Sequence, residues 1–308
     1  RGIEMMQQRL LIVGHLNLDH IYTAEREADE RPGGGALYTA FAAGIYGAPV
    51  DLLAVRCPDF PEAIFQTMRD ANIDTSNVLP ILGRQRRSSM RYDQNLVRTN
   101  YAHKTKAWLD ATIEQAPRHL PLNPHDYGCV YLAPMLGNNQ LLYAKWAHAQ
   151  GLPVAIDLSE YFAQENTEAI HECLRFTDIF MPSEVELDEI YPDIAGQLDL
   201  QIERVRKAGV RLLIVKQSTK GCLVCELDKG RQVRVGIRRL MHVVDATGAG
   251  DSFNGGFLSY YLANGDAVTS ARYAAAVASC CIQDFSYFRL IGQNRDELCS
   301  LAAQISVE

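Results

Sequence analysis

The chain has 308 residues, 47% hydrophobic and 22% charged, proportions of an ordinary globular protein whose length suits one large α/β domain or two of average size. A formal net charge of −7 argues against a general nucleic-acid binder, which needs clustered Lys and Arg for phosphate contacts. No apolar run reaches the roughly 20 residues of a membrane helix, and no charged-then-apolar leader opens the chain, so no membrane association and a cytoplasmic location are the expectations.

Residues 1–8 lack hydrophobic order and read as a frayed end. Residues 10–14, LLIVG, form a short continuous apolar run of the kind buried between helix layers in a parallel sheet. The polar segment HLNLDHIY follows, placing Asn17 and Asp19 just beyond the strand, where such sheets bind ligands; an Asx turn is the plainer alternative. Pro32-Gly33-Gly34-Gly35 then breaks the chain ahead of small and apolar residues at helical spacing. A helix start would explain these glycines, yet three in succession cost more backbone entropy than a plain turn requires. DLLAVRC reads as a second buried strand and PEAIFQTMRDAN as the helix after it.

From residue 75 to about 106 the pattern changes. RRSSMRYDQNLVRTNYAHK alternates polar and bulky residues, including Met90, Tyr92 and Tyr101, around a turn at 93–95, and reads as an exposed antiparallel hairpin. Such an excursion from a parallel sheet suits a lid, wet on one face and over a ligand on the other. Arg84, Arg86 and Arg87 read as a solvated basic turn. His15, His20 and His103 fall near the expected site, and none is assigned a catalytic role.

The β-α rhythm then resumes. CVYLAP and PVAIDL are expected strands around the helix NNQLLYAKWAHAQ; DIFMP is a strand, followed by the helices SEVELDEIY and LQIERVRKAG. RLLIVKQS is the next strand, and GCLVCEL with RQVRVG forms a hairpin. Repeated apolar strands alternating with amphipathic helices imply an α/β fold, a doubly wound and mostly parallel sheet sandwiched by helices. One body spans 1–308, with a small antiparallel β lid inserted at about 16–32 and 78–106. Cys222 and Cys225 are spaced like half a zinc site, but nothing completes four ligands and strand alternation sends them to opposite faces, so they read as structural thiols. Cys280 and Cys281, in an alanine-rich helical run, read as packing residues.

Residues 243–258, VVDATGAGDSFNGGFL, are the most informative. Gly248-Ala249-Gly250 precede Asp251 at the opening of a small-residue helix. Glycines let backbone N–H groups approach a ligand, and a helix start adds unpaired donors and a positive dipole end, so the turn is built to hold an anion. Asp251 beside that anion calls for a chemical role, the alternative being an N-cap on a tight turn. No Gly-Lys-Ser/Thr loop and no GxGxxG after the first strand point to other nucleotide sites.

DATGAGDSFNGGFL resembles the C-terminal signature of the ribokinase-like, or PfkB, carbohydrate kinases, D-T-x-G-A-G-D-x-F, with Ala246 in place of the customary Thr. The resemblance covers essentially the whole chain. GHLNLD resembles the family segment whose Asn and Asp hold sugar hydroxyls, here Asn17 and Asp19; Gly33-Gly34-Gly35 resembles the N-terminal signature, with Gly34, Gly35 and Tyr38 on the substrate side. Pro182-Ser183-Glu184-Val185-Glu186 falls where the family has Pro-Asn-x-x-Glu, associated with magnesium; Ser183 replaces the Asn and Glu186 is kept. Spacing alone cannot choose Glu186 over Glu184, Asp188 or Glu189, which would equally decorate an exposed helix. VKQSTKG resembles a nucleotide-bordering strand and turn, contributed here by Lys216, Ser218 and Gly221, with Ser218 replacing a Gly.

The resemblance implies an ATP-dependent phosphotransferase acting on a sugar or sugar-like hydroxyl. Asp251 is then the general base, and the N–H groups of the Gly248–Asp251 turn, Ala249 and Gly250 among them, stabilise the transferred phosphoryl. Mg²⁺ is implied through water on Glu186, a monovalent cation such as K⁺ near Asp245, and a homodimer through the lid edge. Tyr38 falls where many sugar kinases carry Asn, which puts on the substrate side a ring able to stack on an apolar sugar face or a nucleobase. Nucleoside and polyol kinases of the same fold, and an idle binding or regulatory protein, are the alternatives.

Overall fold

The computed structural model describes residues 8–94, 98–102, 120–159, 163, 166–238, 240 and 242–308. Most of the expected frayed end (1–7), His103, part of the hairpin turn and the last lid residues (103–106) lie outside the described residues, as does the Tyr101 side chain.

β1 (Arg9–Val13) leads into a lid hairpin, β2 (Asn17–Tyr22) and β3 (Glu27–Gly33), and then α1 (Gly35–Ile45) and β4 (Val50–Arg56). After α2 (Ala63–Asp70), β5 (Ile73–Asp74) and β6 (Val78–Pro80), the chain returns to the lid as β7 (Arg87–Tyr92) and β8 (Arg98–Ala102). β9 (Tyr127–Leu132), α3 (Gly137–Ala149), β10 (Val154–Ile156), α4 (Thr167–Leu174), β11 (Ile179–Phe180), α5 (Glu184–Ile190), α6 (Leu198–Ala208) and β12 (Leu212–Lys216) alternate as the pattern requires. The hairpin β13 (Cys222–Glu226) and β14 (Arg231–Val235) precedes three helices, α7 (Ala249–Asn264), α8 (Ala267–Cys281) and α9 (Arg295–Ala302).

The large sheet has the order β14-β13-β12-β11-β10-β9-β1-β4-β5, with β6 also on β4. Pairing is parallel from β12 through β5, and among the described strands of this sheet the β12–β13 and β13–β14 pairs are antiparallel. Strand alternation divides the core. Leu10 and Ile12 enter the cluster with α1, α7 and α8, while Leu11 and Val13 enter the opposite one with α3, α4 and α6. Cys222 and Cys225 obey the same rule, one buried in each cluster, and the described cysteines are all free thiols. Because β1 lies between β4 and β9, the connections leaving β1 and β9 turn to opposite sides and open a crevice at their carboxyl ends.

The lid sheet is ordered β3-β2-β7-β8: two antiparallel hairpins joined through a parallel β2–β7 pair. Its own small core, Ile21, Ala28, Met90 and Tyr92, closes on Phe285, Val244 and Ala246 of the body. Residues 78–80 pair with β4, so the second lid piece starts near Arg87 rather than at 78. The basic knot also differs from the expected solvated turn. Arg87 is ion-paired to Glu30 (2.7 Å) and Asp59 (2.8 Å), and Arg86 is 2% exposed; only Arg84 stands in solvent. The backbone before β7 is tied to β2, Leu18 N donating to Arg86 O (2.8 Å).

Candidate active site

A cavity of about 410 Å³ lies under the lid at the carboxyl ends of the parallel strands. It brings together Asn17, Asp19, Gly34, Gly35, Tyr38, Glu186, Lys216, Ser218, Gly248, Ala249, Gly250 and Asp251, twelve of the residues singled out from sequence. Gly221 and Asp245 lie outside its wall, Gly221 forming the turn beside Ser218 and Asp245 lying fully buried two residues before Thr247.

The glycine turn is locked by what surrounds it. Gly248 caps α7 with φ of 75°, and a Cβ there would come 2.3 Å from the Tyr38 ring. Thr247 N donates to Asp245 Oδ1 (2.9 Å), and the Tyr92 hydroxyl of the lid meets Thr247 Oγ1 (2.9 Å). The N-cap is Gly248, and Asp251 sits in the first turn of α7 as part of the cavity wall rather than as an N-cap. Ala249 N makes a long 3.3 Å bond to Ala246 O, whereas Gly250 N and Asp251 N have no backbone acceptor among the described residues. Those two donors stand at the positive end of a 16-residue helix, where unpaired N–H groups favour an anion.

Opposite the turn, Lys216 Nζ at the end of β12 donates to Asp157 Oδ2 (2.5 Å), which also accepts from Asn254 Nδ2 (2.6 Å). Burial alone would pull the Lys216 ammonium down, but Asp157 and Glu186 outweigh it and the net shift is upward. Burial pushes Asp251 up to about 6, and the Asp157 charge adds to this against the pull of Lys216. Glu186 rises to about 7 for the same reasons. Of the four acids on α5, only Glu186 reaches the cavity: Glu184 bonds Gln217, and Asp188 bonds Gly196 N and Gln201. Ser183 and Glu186 form a reciprocal capping box (2.6 and 3.3 Å), so Ser183 keeps the helix-starting role that Asn would have. Ser218 itself takes a left-handed backbone, at φ of 51°, a conformation that glycine adopts freely.

At the other end, Asn17 Nδ2 donates to Ser88 Oγ (3.2 Å), leaving its Oδ1 buried without a partner; Asp19 Oδ1 is in the same state. Burial, then the nearby Asp245 charge, pushes Asp19 up to about 8. His15 is lowered well below its usual range by burial and by Arg86, which leaves it neutral. Tyr38 differs from expectation. Its ring is 1% exposed and lies against Gly248, so it forms the floor of the glycine turn and offers no open face for stacking.

Asp157, Arg86 and Arg98 also line the cavity and Asn254 bonds Asp157 behind it, and sequence reasoning singled out none of the four for the site. Asp157 was within reach, since it closes the apolar run PVAIDL at a carboxyl strand end. Arg86 and Arg98 carry no such signal, because a lid arginine facing inward looks like one facing out.

A family model described as pfkB family carbohydrate kinase matches residues 7–287. The cytidine kinase of Thermococcus kodakarensis is 25% identical over 260 residues, 82% of this chain and 88% of that protein. The 2-dehydro-3-deoxygluconokinase of Escherichia coli K12 is 26% identical over 309 residues, 90% and 96% of the two chains. A putative ribokinase II from E. coli, solved in complex with ATP and Mg²⁺, superposes with a TM-score of 0.78 at 17% identity, covering 96% of this chain and 99% of that one. The fold alone follows from identity that low, but the family match runs unbroken from the first strand through the lid and past the glycine turn, and on it the chain belongs to the pfkB carbohydrate kinases.

Proposed function

We propose that the chain moves the γ-phosphate of ATP to a hydroxyl of a sugar, nucleoside or related polyol. The carrying observation is that two buried acceptors without partners, Asn17 Oδ1 and Asp19 Oδ1, line the same cavity as Asp251 and the Gly248–Gly250 turn. Buried acceptors of this kind are costly unless a ligand supplies donors, and hydroxyl groups are donors. Asn17 and Asp19 hold the acceptor molecule so that one hydroxyl faces Asp251. Asp251, poised near 6 and ionised at neutral pH, takes that proton as the oxygen attacks. The N–H groups of Gly250 and Asp251, with Ala249 behind them, accept the charge of the transferred phosphoryl, and Lys216 and the Ser218–Gly221 turn border the phosphates.

Mg²⁺ fits this wall by charge. Asp157, Glu186 and Asp251 crowd one ammonium, and Glu186 and Asp251 are both pushed upward, an excess a hydrated dication relieves. No group of three or more His, Cys, Asp or Glu converges as a metal nest among the described residues, so the ion would be held by phosphates and by water on Glu186. When bound it neutralises phosphate charge. K⁺ would sit at Asp245, whose Oδ2 is buried without a partner.

The cytidine and sugar-acid kinases among the relatives bracket the acceptor class. Met90 and Tyr92 line the cavity together with the polar Arg86 and Ser88, a mixture that suits a sugar-like molecule bearing an apolar part. Ser183 starts α5 through its reciprocal pair with Glu186, as an Asn N-cap also would, and this weighs against the idle-protein alternative. Cytoplasmic placement and a homodimer through the lid belong to the same reading by resemblance. The test is coupled ADP release against sugars, sugar acids, nucleosides and polyols: turnover of one class supports the proposal, and ATP binding with no turnover of any refutes it in favour of a binding protein.

A further inference from the structure

The Asp157 side chain accepts three hydrogen bonds in the cavity wall and takes no part in the proton transfer or the phosphate contacts proposed above. It stands just past β10, its side chain 3% exposed. Oδ1 accepts from Leu158 N (2.8 Å), which fixes the rotamer locally. Oδ2 accepts from two donors on different elements: Lys216 Nζ on β12 (2.5 Å) and Asn254 Nδ2 on α7 (2.6 Å). Asn254 lies one turn after Asp251, and its Nδ2 also reaches the Tyr131 hydroxyl on β9 (2.9 Å). One carboxylate thus ties together the ends of β9, β10 and β12 and the first turns of the helix that carries the base.

The geometry points to Asp157 as a positioning residue that holds the Lys216 ammonium against the Gly248–Gly250 anion turn. The distances support that direction of action. A Cβ built on Gly250 would lie 3.4 Å from Lys216 Nζ, so the ammonium stands directly beside the turn. A lysine has three rotatable donors on a flexible stem and does not choose a direction by itself. Its other anionic neighbours are Glu186 and Asp251, and without Asp157 the ammonium swings to one of them, away from the anion or onto the base. A carboxylate is suited to this task because it accepts from Lys216 and Asn254 at once, whereas an amide oxygen at the same place carries no charge to hold a buried ammonium.

This inference rests on the ATP reading and is tested by ATP binding rather than turnover. ATP is titrated calorimetrically into the wild type, Asp157→Asn, Lys216→Met and the double variant, with Mg²⁺ present. Each single substitution is expected to weaken ATP at least fivefold, and the double variant to bind no more weakly than Lys216→Met alone, because the two residues act as one. The double variant removes both charges together and is expected to melt near the wild type, so its weakened binding is not unfolding. In ¹⁵N spectra the Lys216 ammonium, protected from exchange by its partners, gives a signal in the wild type that disappears in Asp157→Asn. Additive losses, wild-type affinity in Asp157→Asn, or an unchanged ammonium signal overturn the assignment. A wild type that does not bind ATP overturns the donor reading and this role with it, whereas a binding wild type with additive variants overturns only the role of Asp157.

Discussion

Replacing Asp251 by Asn removes the proposed base while keeping its size. Two magnitudes follow. Loss of a general base costs about 10²–10⁴-fold in rate, or roughly 3–5 kcal/mol of transition-state stabilisation. The carboxyl titrates near 6, so in the wild type about nine in ten sites are ionised at pH 7 and about one in ten at pH 5. Turnover per unit acceptor should therefore fall about tenfold for each pH unit below 6, with the active form the ionised one. ATP affinity should stay level or improve, because the substitution removes one negative charge from a wall that already holds Asp157 and Glu186. The assay is coupled ADP release between pH 4.5 and 8.5, with circular dichroism at each pH to show that the chain stays folded, and ATP calorimetry on both proteins. An Asn variant within tenfold of wild type, or a wild-type profile flat from pH 5 to 7, would refute the assigned base.

Three other outcomes are expected. Ser218→Gly should stabilise the chain by about 1 kcal/mol, since a non-glycine residue in the left-handed region is strained and glycine is not; urea midpoints measure it, and a destabilised variant would contradict the strain. Gly248→Ala should destabilise by about 2–4 kcal/mol and abolish ATP binding, because φ of 75° disfavours a Cβ that must also enter the buried Tyr38 ring; wild-type melting and affinity would contradict this. Asp19→Asn should flatten the pH dependence of stability. The folded chain holds the Asp19 proton up to about 8 against an ordinary 3.8, so its contribution is full below pH 4, falls as the unfolded chain ionises, and is lost once pH passes 8. Urea midpoints at pH 5 and 8.5 should differ less in the variant, and an unchanged difference would exclude Asp19 as the group.

The glycine turn was legible because its geometry is local. Gly248, Gly250 and Asp251 are adjacent in sequence, and the helix after them needs only nearest neighbours to present its N–H groups. The strands were legible for the same reason, since LLIVG or VAI is buried on both faces wherever it lies in the sheet. The choice of Glu186 among four acids was not, because only the cavity distinguishes it from Glu184 and Asp188, which are engaged with Gln217, Gln201 and Gly196. Tyr38 shows the opposite failure. Its position in the chain suggested a face open to substrate, and the close approach of Gly248 covers that face.

The sequence by itself determined the layer architecture, the second of the lid's two strand pairs and the glycine turn with its aspartate, all of which depend on hydrophobic period and on residues a few positions apart. Tertiary structure alone decided what faces that turn. Asp157, Lys216 and Asn254 are 97 residues apart at their widest and meet only because β10, β12 and α7 end at one edge of the sheet. Arg86 reads as surface in the chain and is buried in the fold. Charge, burial and proton affinity at such a site come from groups distant in sequence, and a linear pattern carries no record of which carboxylate will stand beside which ammonium.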